Sequence, residues 1–186
     1  IDEIVRFLGE NGDRSFIDYH LVSKDKNDEW RNVIHRRFEY WYFLPSNDIR
    51  SRGFIRKLYK LVGYKRKYPT DDIYYGACWF TLASDAVNYI LNYVQSNPSI
   101  IKFFQHTGCA DELFFQSILL NSLLKDKMIN NHYRYIDWEK GGNRPKDLTF
   151  ADYDKIKESD AWFVRKINPQ IDNSLVDLLD ELAKSK

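Results

Sequence analysis

Asp111-Glu112 heads the apolar run Leu113-Phe114-Phe115, directly after the loop Gly108-Cys109-Ala110. A carboxylate at a loop-to-helix junction can project into a cleft and take a proton from a hydroxyl group. The position equally suits an acid that only complements the positive end of a helix dipole. On the residues alone both readings stand. Two cationic segments can serve an anionic ligand. His132-Tyr133-Arg134-Tyr135-Ile136-Asp137-Trp138 sets Arg134 among aromatics, and Val164-Arg165-Lys166 puts two cations at the end of an apolar stretch. Arg and Lys converging on one spot would neutralise a diphosphate, whereas singly each is an ordinary surface charge. Asp152-Tyr153-Asp154 has the DxD outline that can hold a metal ion against a diphosphate. It follows Thr149 at capping-box spacing, so helix capping is the expected role and no metal site is expected.

Other chemistries drop out. Gly141-Gly142 is too sparse for a phosphate-cradling loop. His20, His35, His106 and His132 lack zinc-protease spacing, and neither a nucleophile elbow nor a kinase signature is present. The formal net charge of +1 carries no mandate for nucleic acid. Cys78 and Cys109 match neither a zinc pattern nor a disulfide framework, and such low cysteine use leans towards a reducing compartment. Thirteen Tyr, twelve Phe and five Trp supply flat faces that suit sugars but are also core material.

The elements that must position these groups are read from periodicity and punctuation. Residues 2–8 form a helix capped by Asp2 and stopped near Gly9, and Phe16 to Tyr19 a strand. Asp28 to Arg37 is a charged helix, with an aromatic strand from Phe38 to Phe43. Phe54, Ile55, Leu58, Leu61 and Val62 recur at helical spacing within a basic block running from Arg50 to Lys67 without an acid. This block reads as a membrane-surface or anionic-acceptor contact, or as a solvated helix packed on the domain. Ile73 to Leu82 is strand-rich, Ser84 caps a helix to about Gln95, and Pro98 opens another ended by Gly108. Ala110 to Leu124 reads as one helix and Met128 to Trp138 as one or two strands. Ala161 to Ile167 is a strand, and Asn173 caps a closing helix. Mixed strands and helices at this spacing predict an α/β domain.

Taken in order, YYGACWFTLASDAVNYIL (74–91), DELFFQSILLNS (111–122), NNHYRYIDW (130–138), RPKDLTFADYDKIKESDAWFVRKI (144–167) and the closing helix resemble the core-2/I-branching N-acetylglucosaminyltransferase family, which includes xylosyltransferase-like members. The resemblance runs from about residue 73 to 183 and is loose before that. It implies a GT-A-like α/β fold, with residues 1–186 as one domain that forms its C-terminal part and lacks the N-terminal nucleotide-binding half. Glu112 is then the general base of an inverting, metal-independent transfer from a UDP-sugar, and no cofactor is expected. Arg134 and Lys166 then contact the diphosphate where a metal ion would otherwise serve. Tyr74, Tyr75 and Trp79 are candidates for stacking on sugar, with core packing the expected role of at least one.

Cys109-Ala110 replaces a small-Pro pair usual in the family, and Arg144 stands where a His often precedes Pro. Among the first 70 residues, Asp18, Lys24, Trp30, Arg36 and Arg37 are candidates for acceptor contact. The expected donor carries N-acetylglucosamine, with UDP-xylose as the alternative, and the expected acceptor is a glycan or lipid-linked glycan. A non-catalytic carbohydrate-binding module is the rival from another class. The expected setting is the bacterial cytoplasm at the inner face of the membrane, with the Golgi lumen as the alternative.

Overall fold

A computed structural model of the chain describes residues 2–22, 29–39, 66–138 and 144–185, with isolated positions at 41, 53, 57–58 and 61–63. The chain divides into two compact units: Asp13–Asn131, and Ile1–Gly12 with His132–Lys186.

In the unit Asp13–Asn131, strand β1 (Ser15–Ile17) is buried along its whole length. It takes the centre of a three-stranded sheet, between β4 (Phe80–Thr81) antiparallel and β5 (Met128–Ile129) parallel. Central placement explains why Ser-Phe-Ile carries no polar alternation. The Ser15 hydroxyl, fully buried, accepts the Ala83 N–H at 3.0 Å. A second pairing joins β2 (His20–Leu21) antiparallel to β3 (Tyr74–Tyr75), with His20 opposite Tyr75. Helix α2 (Glu29–Phe38) sends Ile34 and Phe38 into the core at the i, i+4 interval. Helix α3 (Ser84–Ser96) does the same with Ala86 and Ile90. Helix α4 (Pro98–Phe104) buries Ile100, Phe103 and Phe104.

Helix α5 (Phe114–Leu120) lies at the centre of this core, and Gln116 to Leu120 are all buried. Its polar side chains are spent on the neighbouring extended segment. Ser117 Oγ accepts the Tyr74 N–H and donates to the Tyr74 carbonyl, both at 3.1 Å. Asn121 closes two bonds with the Asp72 backbone, and Gln116 Nε2 donates to the Ala77 carbonyl at 3.0 Å. Side chains of one helix thus pair the edge of β3 that would otherwise be left open.

Arg66 stitches the same core together. Its guanidinium donates to the carbonyls of Phe38, Phe103 and His106 and stacks on the Trp41 and Phe103 rings. A fixed cation there meets carbonyls at the C-terminal ends of α2 and α4, which carry negative partial charge.

In the other unit, β6 (Arg134–Ile136) pairs in parallel with β7 (Phe163–Arg165), and an isolated Leu148–Ile167 bridge continues the ladder. Tyr135 and Val164, opposite one another, pack on buried Leu148, Ile156 and Leu175. Helix α6 (Tyr153–Glu158) supplies Ile156 and helix α7 (Ser174–Ser185) supplies Leu175. Helix α1 (Asp2–Glu10) contributes Phe7, edge-on to Tyr133 and Trp162, whose rings stack at 4.1 Å.

The mixed α/β class is as expected, and several element boundaries are not. Gly9 lies inside α1 instead of ending it. The Phe16–Tyr19 strand ends at Ile17 because Asp18 turns its carboxylate onto a backbone N–H elsewhere. Phe38, expected to open an aromatic strand, is the last residue of α2. The rest of that strand, apart from Glu39 and Trp41, lies outside the described residues, as does most of the basic block Arg50–Lys67. Ser84 is the first helical residue of α3 and Ala83 its cap, without a side-chain bond. Asn173 holds the cap position of α7, its carbonyl accepting the Val176 N–H, while the side-chain bonds to the first turn come from Asp172, whose Oδ1 accepts the N–H groups of Ser174 and Leu175.

The expected helix over Ala110–Leu124 is two pieces, a 3-10 turn at Ala110–Glu112 and then α5, and a further 3-10 turn follows beyond it at Lys125–Lys127. Leu113, with φ −128° and ψ −37°, breaks the first junction while burying its side chain completely. After α5, Asn121 and Ser122 bond back to the carbonyls of Ser117 and Leu119 and end the helix. Met128 to Trp138 gives two strands, β5 and β6, in different units. Among the described residues no helix is long and apolar enough to cross a membrane.

Candidate active site

Glu112 ends the 3-10 turn Ala110–Glu112 rather than starting an α-helix. Cys109, in the left-handed region at φ 50° and ψ 51°, sets up that turn. The Glu112 N–H donates to the Cys109 carbonyl at 3.1 Å, and the Glu112 carbonyl accepts the Gly76 N–H at 2.9 Å. Its carboxylate Oε2 accepts a charge-assisted bond from Arg37 Nη1. The side chain is 37% exposed, so one oxygen is engaged while the carboxylate remains open to solvent.

Gly76 is the hinge of this arrangement. A Cβ there would lie 2.0 Å from the Asp18 carbonyl oxygen, a distance only glycine permits. The close approach lets Asp18 Oδ2 accept the Ala77 N–H at 2.8 Å, while Asp18 Oδ1 lies 3.4 Å from His20 Nε2. Residues 76–79 therefore form a short loop between β3 and β4, tied to Asp18 on one side and to Glu112 and Gln116 on the other.

The aromatic candidates part company around that loop. Tyr74 is 5% exposed and belongs to the core. Tyr75 is half-buried, with its ring 5.3 Å from that of His20. Trp79, on the loop itself, is 39% exposed. Of the candidates for acceptor contact, Asp18 and Arg37 join this cluster and Arg36 is exposed on α2. Lys24 and the side chain of Trp30 lie outside the described residues.

Arg134 and Lys166 belong to the other compact unit. Arg134 Nη1 donates to the His132 carbonyl, and its Cζ sits 4.9 Å over the Phe163 ring. Burial pushes its pKa below the ordinary arginine value, although a guanidinium stays charged at any physiological pH. Lys166 Nζ lies 3.3 Å from Asp147 Oδ1. The strand register sets Arg134 opposite Phe163, at the start of β7, whereas Lys166 lies just past its end.

Asp152 is buried. Its Oδ1 accepts from Lys146 Nζ at 2.6 Å, and its Oδ2 accepts the Thr149 N–H at 3.0 Å in a closed capping box. Asp152 is thereby spent on helix capping, as its spacing predicted, while Asp154 is exposed in the first turn of α6. Among the described residues no group of three or more His, Cys, Asp or Glu side chains is arranged to hold a metal ion.

Sequence reasoning did not find the Arg37–Glu112 pair or the role of Gly76. A glycine directly after an aromatic strand in Tyr74-Tyr75-Gly76-Ala77 was the available signal for a close backbone approach. Arg37 had no comparable signal, since its partner lies 75 positions away.

Xylosyltransferase 2 of Pan troglodytes and that of Homo sapiens are each 22% identical over 96% of this chain. The Rattus norvegicus protein is 21% identical over the same share. The chain spans about a fifth of the length of these curated relatives, 21% in each case. A model of the core-2/I-branching enzyme family matches residues 1–161, so the match includes the first 70 residues, where the motifs alone gave only a loose resemblance. On that match, which takes in Glu112, Arg37 and the Gly76 loop, the chain belongs to the core-2/I-branching enzyme family.

Proposed function

We propose that this chain is part of an inverting glycosyltransferase that moves a sugar from a UDP-sugar to a glycan hydroxyl, with Glu112 as general base. The observation that carries the reading is the Glu112 turn. A partly exposed carboxylate is fixed through its backbone at both ends and through one carboxylate oxygen, in a chain of the core-2/I-branching family. Preorganisation of this kind is what general-base catalysis requires, because the proton must be met within hydrogen-bond reach. Glu112 takes the proton of the acceptor hydroxyl, and the acceptor oxygen forms its bond to the anomeric carbon from the face opposite the leaving group. The bond from that carbon to the diphosphate oxygen breaks, and its electron pair leaves with UDP. The resemblance assigns the neutralisation of that charge to Arg134 and Lys166, without a metal ion. Trp79 offers an exposed aromatic face beside the Gly76 loop for a sugar ring.

N-acetylglucosamine is the donor sugar of the first reading. The relatives' name, xylosyltransferase 2, favours a second, in which the same site takes UDP-xylose. A donor screen on the full-length protein, detecting released UDP in the presence of glycan acceptors, separates the two. Glu112→Gln should then lower turnover by at least ~10²-fold with folding and donor binding nearly unchanged. Near-normal turnover in that variant, or no UDP release from any UDP-sugar, would overturn the reading.

A further inference from the structure

We infer that Arg37 is the positioning residue of the base, holding the Glu112 carboxylate in one orientation. The inference rests on the reading of Glu112 as general base. Arg37 meets the segment that carries Glu112 at two points. Its carbonyl accepts the Gly108 N–H at 2.7 Å, two residues before the turn, and its Nη1 donates to Glu112 Oε2, where the turn ends. Arg37 is itself firmly placed: it lies in the last turn of α2, next to Phe38, which is 1% exposed in the core.

A partly exposed glutamate on a short turn otherwise has several rotamers open to it. With Oε2 held by Arg37, Oε1 is the oxygen left to take the proton. Among the described residues nothing comparable holds the neighbouring acid Asp111, which sets Glu112 apart from an acid that only heads a helix. Such placement matters to rate because a displacement of about 1 Å at a reacting group can cost ~10²-fold.

Two rival roles predict different kinetics. A surface ion pair that only braces the loop changes stability, not turnover at saturation. A guanidinium that binds the acceptor directly changes the acceptor KM.

The test is steady-state kinetics on the full-length protein with Arg37→Ala, Arg37→Lys, Glu112→Gln and the double variant Arg37→Ala/Glu112→Gln. Arg37→Ala should lower kcat by about 10-fold or more, with donor and acceptor KM within about twofold of wild type. Arg37→Lys, which can still reach a single carboxylate oxygen, should recover most of the loss, and it serves in place of the Ala variant if that variant fails to fold. Added guanidinium should restore part of the kcat of Arg37→Ala and none of that of Glu112→Gln. In the double variant the Arg37 change should add little, because its effect passes through the carboxylate already removed. Wild-type kcat in Arg37→Ala, a loss confined to acceptor KM, or full additivity in the double variant would overturn the inference. Near-normal kcat in Glu112→Gln would instead overturn the base reading beneath it.

Discussion

Asp152 shows how side-chain partners decide between two roles that one motif allows. Both of its oxygens are committed, one to Lys146 and the other to Thr149, in a buried position. Burial by itself would raise its pKa. The Lys146 hydrogen bond, the Thr149 donors and the Lys146 charge outweigh that and hold it below the usual carboxylate value. A folded-state pKa below the unfolded one contributes stability that is present above the unfolded value, near ~3.9, and is lost as pH falls through the folded value. Asp152→Asn should therefore cost about 1–3 kcal/mol at neutral pH. In urea unfolding followed from pH 7 downwards, the gap from wild type should shrink once the medium is more acidic than the native carboxyl. A gap that stays constant into strong acid would show that the charge on Asp152 contributes nothing.

The extended segment from Asp72 to Ala77 is the element that sets the site. It is held by Gln116 and Ser117 on α5, by Asn121 just past its end, by the Glu112 carbonyl, and by strand β2. Gly76→Ala would drive a methyl group into the Asp18 backbone, which is not a flexible side-chain end that can swing aside. The expected result is a loss of about 1–3 kcal/mol in stability. Turnover should also fall, because the Gly76 N–H anchors Glu112. Urea unfolding and kcat on the same preparation check it, and a stability within about 0.5 kcal/mol of wild type would refute the packing argument. Helices α2, α3 and α7 were legible in the sequence because their apolar residues recur at helical spacing. The segment from Ala110 to Leu124 misled because its apolar run continues straight through Leu113, where the backbone leaves the helix. Periodicity reports which side chains are buried, not the dihedral angles at which they are delivered.

At the scale of the whole molecule the question is how a departing diphosphate is neutralised, by a divalent ion or by fixed cations. Asp152 of the DxD pair is occupied in capping, and the resemblance assigns the task to Arg134 and Lys166. Full-length protein should keep most of its turnover in excess EDTA, while Arg134→Ala and Lys166→Ala each lower it by about 10²-fold. Loss of activity in EDTA with recovery on adding manganese would refute the fixed-cation mechanism. The sequence by itself determined the family motifs, the α/β class and the capping role of Asp152, because each rests on residues close together in the chain. Tertiary structure alone decided that β5 and β6 belong to different compact units, that Tyr74 is core, and that Gly76 lies against Asp18. It also joined Arg37 to Glu112. Those facts depend on contacts between residues tens of positions apart, where spacing along the chain carries no information and only packing brings the groups within reach.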